Sequence, residues 1–252
     1  MTLAEQLQEL RVNILRDRSD IIAGDTDSLW SDETLLLYIK DAERRFARRT
    51  LLLRDSTTAE VTTIKIKTGV ATYAAHKSVI AVLSARFGSN NFDLQRSGHA
   101  LVTQARPAES LDLNTISANP TAVGAPVAYY TDETLVFARQ NTITVTVYPT
   151  PTATENNLNL SMRVIRLPMQ GYSRNDLARE SEIPEDYQLD VLEWAAYRAQ
   201  RGYDGDAGAP TQAEQHRAAF EAAMATAVQE TKRKMFANVG FQYGTNGFAW
   251  GR

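Results

Sequence analysis

The sequence predicts an α+β fold: a four-helix bundle of two N-terminal and two C-terminal helices, a large inserted antiparallel β sandwich or barrel, and an extended C-terminal tail. Three observations carry that prediction. Apolar residues recur at helical spacing near both ends of the chain. Through the middle they alternate with polar ones in runs rich in Thr, Val and Ile, the strand pattern. After Glu230 no side chain carries a carboxylate, and five aromatic residues stand among glycines.

The first twenty residues read as a helix. Thr2 and Glu5 form a capping box, in which each side chain satisfies a backbone N–H at the helix start. Leu3, Leu7, Leu10 and Ile14 then make one apolar stripe. "IIAGDTDS" reads as a loop. A second helix opens sharply at "LWSDETLLLYIKDAERRFARRT". Ser31 is placed to cap it, Asp32 and Glu33 suit the positive end of the helix dipole, and Trp30 and Leu35 stand at the positions of a hydrophobic staple. Leu35, Ile39, Ala42 and Phe46 form its buried stripe.

Strand patterns begin after Asp55. They run through "AEVTTIKIKTGVATYAA", "SVIAVLSARFG", "ALVTQA", "PVAYYTDETLVFARQ", "NTITVTVYPTP" and "LNLSMRVIRLPM". Gly88, Gly98, Pro107, Pro120, Pro126 and Pro149 punctuate them. Helices return at "IPEDYQLDVLEWAAYRAQRG", with Pro184 suited to the first turn and Gly202 to the position after the last. "YDGDAGAP" reads as a flexible loop. Thr211 and Glu214 suggest a second capping box, opening a long helix with Phe220, Met224, Ala227, Val228 and Met235 along one face. The predicted organisation is a helical domain from residues 1–56 and 170–235, an inserted β domain at 57–169, and a tail at 236–252. Neither helix pair buries its stripe alone, so the two pairs are expected to pack together.

Composition narrows the function classes. The formal charge is −3, which offers no general attraction to nucleic acid. The chain has no cysteine, which excludes disulfides and thiolate metal sites and fits either a reducing compartment or a disulfide-free particle. The charge-interrupted N-terminus is neither signal peptide nor span, and no segment has the roughly 18 apolar residues of a membrane helix. His76, His99 and His216 form no metal-ligand spacing. "DTDSLWSDE" fails as a calcium loop because Trp30 occupies the glycine position. Asp204 and Asp206 in "YDGDAG" suit a solvated turn. No nucleophile elbow, phosphate loop or dinucleotide fingerprint is present, and no cofactor or metal is expected. Carboxylates are scattered through the chain, so a carboxylate-dependent hydrolase stays open as a third reading, though nothing in the sequence singles out a pair.

Two features point to partners instead. The first is "RRFARR": Arg44, Arg45, Arg48 and Arg49 close the second helix, where cations are favoured. They read as subunit contacts, as contacts to DNA in a channel, or as a solvated helix end. The second is the tail, with Phe236, Phe241, Tyr243, Phe248 and Trp250, preceded by Lys232, Arg233 and Lys234. Ordering about 17 residues costs roughly 20–30 kcal/mol of backbone entropy. Burying five aromatic rings of roughly 150–250 Å² each returns about 20–30 kcal/mol. The two nearly cancel, so the tail is expected to order only in a preformed groove, of a partner or of its own protomer. The basic triplet would steer it to an acidic surface.

At these residues a resemblance enters. "LWSDETLLLYIKDAERRFARRTLLLRD", "EIPEDYQLDVLEWAAYRAQRG", "HRAAFEAAM" and the strand ending "VTVYPTP" resemble the head-to-tail connector (portal adaptor) proteins of tailed bacteriophages, from about residue 29 to about residue 225. The resemblance implies a non-enzymatic virion protein at the head–tail junction, assembled in the host cytoplasm. It implies a ring, usually a dodecamer, beneath the portal protein, with neighbouring copies side by side. Double-stranded DNA would pass through without sequence-specific binding, the C-terminal segment would dock on the portal, and a downstream tail protein would attach opposite; no membrane is involved. The long β insertion departs from the shorter insertions common in that family. Another neck or tail component (tail-tube, completion or nozzle-proximal) is the competing reading.

Overall fold

The computed structural model describes residues 1–17, 29–88, 92–96, 122–132, 142–201 and 209–237. The fold is mixed α and β, as the sequence predicts.

Helix α1 spans Leu3–Gln8 and has the predicted capping box: the Thr2 hydroxyl accepts from the Glu5 N–H at 3.2 Å, and the Glu5 carboxylate accepts from the Thr2 N–H at 2.7 Å. The helix then widens into a π-helix over Glu9–Ile14 and stops well short of residue 20. Arg11 explains the early stop. Its guanidinium turns inward to Asp17 at 3.1 Å and Asp32 at 2.6 Å, and Arg16 takes a positive φ of 55° that brings the chain back. The predicted loop at 21–28 lies outside the described residues.

Helix α2 spans Asp32–Thr50 and is capped by Ser31, whose hydroxyl accepts from the Thr34 N–H. Its predicted stripe of Leu35, Ile39, Ala42 and Phe46 is fully buried. Helix α3, Ala59–Thr62, is a single turn where a strand start was expected. The Asp55 carboxylate causes it: Oδ1 accepts from the Thr57 and Thr58 N–H groups at 2.9 and 3.0 Å, turning the chain.

Helix α4 spans Gln188–Arg201, and α5 spans Ala209–Ala237. Pro184 caps a separate 3₁₀ turn at Glu185–Tyr187 rather than sitting in the first turn of α4. Helix α5 begins before Thr211, so that residue lies inside the helix and is not its cap; Pro210, lacking an N–H, is tolerated in the first turn. Gly202 and the loop that follows it lie outside the described residues. One apolar cluster unites α1, α2, α4 and α5, and it includes Phe46, Val191, Trp194, Phe220, Met224 and Ala227. Phe46 lies 5.4 Å from Tyr187 and 6.1 Å from Phe220, ring to ring. Val228 is only half-buried.

Between the helix pairs lie two sheets. The first contains β1 (Arg54–Asp55), β2 (Thr63–Lys65), β4 (Val79–Phe87), β5 (Phe92–Asp93) and β9 (Asn159–Arg166), in the order β1-β9-β4-β5 with β2 also on β9. The second contains β3 (Thr72–Ala74), β6 (Gln95–Arg96), β7 (Ala128–Asp132) and β8 (Thr144–Tyr148), in the order β3-β8-β7-β6. Alternation places Leu160, Met162 and Val164 of β9 and Val145 and Val147 of β8 in one shared cluster, and a register shift between Val82 and Ser84 lets Val82 of β4 join Ala85 and Phe87 there, a sandwich arrangement. The pairing is antiparallel except between β6 and β7, which run parallel. The strands expected in "ALVTQA" and through 133–140 lie outside the described residues.

The chain leaves the helical layer along β1 and returns at the end of β9, and these two strands pair. Arg166 clasps the crossing. Its Nε donates to Asp55 at 2.6 Å, and its Nη1 donates to Glu182. Glu182 also accepts from the Met169 N–H at 2.8 Å. Burial opposes the Asp55 charge, but the Thr58 and Thr57 donors and Arg166 outweigh it and hold the carboxyl well below its usual range.

Candidate functional site

Helix α2 sorts its charges by angle. Residues four apart share a face, so Arg44 and Arg48 form one exposed ridge and Arg45 and Arg49 the next. The second ridge is engaged within the protein. The Arg45 guanidinium lies over the Trp194 ring at 4.0 Å, and Arg49 Nη1 donates to both carboxylate oxygens of Glu221 at 2.8 and 2.9 Å. On the first ridge, neither Arg44 nor Arg48 has an ion-pair partner among the described residues.

The engaged ridge borders an open cleft of about 700 Å³ where α2, α4 and α5 meet. Its wall from α4 is periodic: Trp194, Tyr197, Arg198 and Arg201 stand at spacings of three, one and three, on one helical face. Arg198 lies 5.2 Å from the Tyr38 ring and pairs with Asp41 at 2.8 Å, and Asp41 also accepts from the Trp194 indole N–H at 2.8 Å. Arg201 donates to the Tyr197 hydroxyl at 2.8 Å. Arg217 of α5 completes the lining and pairs with Glu214 at 2.7 Å. Sequence reasoning missed this site except for Arg45. The α4 spacing was a usable signal; the partners of those residues, some 150 positions away on α2, were not.

The free ridge borders a second cleft, of about 560 Å³, between α2 and the sheets. Lys40, Arg44 and Lys77 line it, and none has an ion-pair partner among the described residues. His76 stands beside them, with Nδ1 at 2.8 Å from the Ser78 hydroxyl and Nε2 at 3.8 Å from Glu60. His216 lies elsewhere, bonded through Nδ1 to Glu193 at 2.5 Å, and is half-buried rather than exposed. Asp190 is raised above the ordinary carboxylate value by burial and by the neighbouring charge of Glu193.

Behind both ridges α2 is anchored by a buried acid. Glu43 is fully buried and accepts from Gln6 at 3.0 Å, from Ser181 at 2.7 Å and from the Tyr172 hydroxyl, with Arg179 at 3.5 Å. Burial and the Glu43 charge drive the Tyr172 hydroxyl far above its ordinary value. Tyr187 donates to Glu230 at 2.6 Å and is pushed up to about 12, by burial first and then by that carboxylate.

Lys232, Arg233 and Lys234 are exposed near the C-terminal end of α5, where the helix dipole favours cations. The helical backbone continues through Phe236 to Ala237, so Phe236 belongs to the last turn of α5 and not to an extended tail. Phe241, Tyr243, Phe248 and Trp250 lie outside the described residues, as do His99, Asp204, Asp206 and the first part of "DTDSLWSDE". Among the described residues no helix is long and apolar enough to cross a membrane, and no group of three His, Cys, Asp or Glu could hold a metal ion.

No curated protein matches the chain. A family model described as SU10 adaptor protein matches residues 1–240, which takes in every described element and stops before the last four aromatics of the sequence. With helices, sheets and both clefts all inside that match, the chain belongs to the SU10 adaptor protein family of structural bacteriophage adaptors.

Proposed function

We propose that the protein is a head-to-tail adaptor that forms a ring, a dodecamer, beneath the portal, continues the DNA channel and offers the platform to which the tail attaches. The observation that carries this reading is the family match over both helix pairs and the sheets between them. The free ridge of Arg44 and Arg48 adds support, because a ring needs two different complementary faces on each copy. The engaged ridge of Arg45 and Arg49 is tied to its own protomer. A net charge of −3 suits a channel through which the duplex slides rather than sticks. The protein resides at the head–tail junction of the virion.

Docking on the portal is assigned to Phe236, Phe241, Tyr243, Phe248 and Trp250, with Lys232, Arg233 and Lys234 steering. The tail is free of acids and rich in rings, so it gains most in an apolar groove with an acidic rim. Phe236 ends α5 inside the family match, and Phe241, Tyr243, Phe248 and Trp250 follow it. Residues 1–56 with 170–235, and residues 57–169, are proposed as two domains; the separate apolar clusters support that division.

Electron microscopy of the purified protein, alone and with its portal, tests the reading. Rings seated on the portal are expected. A chain truncated after Ala237 should stay folded and lose the portal. A protein that stays monomeric even with a portal present counts against the ring. Contact only with components further down the tail would favour the neck or tail-tube reading.

A further inference from the structure

The cleft between α2, α4 and α5 has a use beyond ring formation or tail docking. We propose that it is a docking site for an acidic segment of a partner protein, whose side-chain carboxylates are held by Arg45, Arg198, Arg201 and Arg217.

Charge is the first argument. Four guanidiniums line the cleft against the single carboxylate of Glu221. Adding the groups they pair with brings in Arg49, Asp41 and Glu214, which leaves five guanidiniums facing three carboxylates. The local excess is positive in a chain whose net charge is −3.

Pre-organisation is the second. The guanidinium carbon of Arg45 lies over the Trp194 ring at 4.0 Å from its centroid, that of Arg198 over Tyr38 at 5.2 Å and that of Arg201 over Tyr197 at 5.8 Å. Stacking consumes the faces of a guanidinium and leaves its in-plane N–H donors for a carboxylate. Arg45 makes no ion pair among the described residues, so its donors are uncommitted. Holding these planes beforehand reduces the rotamer entropy lost on binding.

Size and sign decide between a peptide and a nucleic acid. The volume of about 700 Å³ is that of a cleft for a few side chains. A duplex is far wider, and its fixed row of phosphates would meet Asp41, Glu214 and Glu221 together with the arginines they pair with. A flexible acidic peptide can place single carboxylates against the guanidiniums and keep clear of those acids.

The test is fluorescence anisotropy with the full-length protein and a labelled, end-capped peptide alternating Glu and Gly. A Gln-for-Glu peptide and a short DNA duplex serve as comparisons. The Glu peptide should bind, with the Gln peptide weaker by about tenfold or more. Arg45→Glu combined with Arg201→Glu should weaken the Glu peptide by about tenfold or more, whereas Lys65→Glu with Lys67→Glu, two exposed residues of the sheet region, should leave it unchanged. Thermal melts of each variant separate loss of the site from loss of the fold, and Arg201→Gln alone gives a milder variant. Equal binding of the two peptides overturns the proposal, as does binding of the duplex alone or an equal loss from the two charge reversals. A gain of about tenfold on replacing Asp204 and Asp206 by Asn would also overturn it, because the chain's own acids would then be the occupant. None of these outcomes depends on ring formation or on portal docking.

Discussion

The helical layer and the sheet layer are held in register by different means. In the sheets the backbone does it: β4 and β9 pair from Val79↔Arg166 to Phe87↔Leu160, and the side chains between the two sheets are almost all apolar. No backbone ladder joins α2, α4 and α5, so side chains must set how those helices sit. Glu43, Arg11, Arg179 and Gln6 are all buried in the helical layer, each bonded or paired to another element. Apolar stripes tolerate sliding; an acid that needs Gln6, Ser181 and Tyr172 at once does not. Buried polar groups here specify position, while the ladder specifies it in the sheets.

Removing the acid should break that comparison most severely. Glu43→Ala leaves Arg179 buried without its counter-charge and Gln6, Ser181 and Tyr172 without an acceptor. A loss of about 3–5 kcal/mol is expected in urea unfolding. Glu43→Gln, which keeps an acceptor, should lose less. A cost under about 1 kcal/mol for the alanine variant would show that apolar packing alone positions α2.

In the sheets the comparable lesion is a cavity. Leu160 is fully buried, and Leu160→Ala should cost about 3 kcal/mol. The pair of variants also tests the division into two domains. If the clusters unfold separately, Glu43→Ala shifts one transition and Leu160→Ala the other. One shared transition moved equally by both variants would mean that the layers form a single cooperative unit.

Local signals carried much of this architecture, and long-range ones carried none. The caps at Thr2 and Ser31, the stripe from Leu35 to Phe46 and the runs of β4, β8 and β9 depend on neighbours within a few residues, and the sequence displays them. The inward turn of Arg11 could not be read, because a charged residue beside an apolar stripe looks solvated until Asp17 and Asp32 converge on it. Glu43 meets Tyr172 and Ser181 across more than a hundred residues, and Arg166 meets Asp55 across a similar span. At the site, the four arginines of α2 formed one cluster in the sequence, and only the positions of Trp194 and Glu221 divided them into an engaged and a free ridge.

The clasp between the layers should respond to acid. The Asp55 carboxyl is held below its unfolded value of about 3.9. Its contribution is therefore complete above that value and is lost as pH falls towards the lower folded value. Asp55→Asn should cost about 2 kcal/mol at neutral pH. The gap between variant and parent should hold down to about pH 5 and narrow below about pH 4. Urea midpoints across that range measure it. A gap that widens on acidification would mean the Asp55 charge is not favoured by folding.

The smallest effect on stability should come from the ridges of α2, and there the comparison shifts from layers to faces of one helix. Arg49 donates from the one nitrogen Nη1 to both oxygens of Glu221, but both side chains are close to half exposed, so water screens them and a double-mutant cycle should return only about 0.2–1 kcal/mol. Arg44 and Arg48 pair with nothing described, and reversing both charges should change stability by less than about 0.5 kcal/mol. Repulsion along the helix is even relieved, since four arginines crowd its C-terminal end, although the dipole there opposes the new acids. If the free ridge meets a neighbouring copy, Arg44→Glu with Arg48→Glu should abolish rings seen by electron microscopy while the melt stays unchanged. Arg49→Ala should do the reverse, shifting the melt slightly and leaving rings intact. Rings that survive the first variant would move the subunit contact off α2. Loss of rings in both would mean that the engaged ridge, despite its internal partners, is also read from outside.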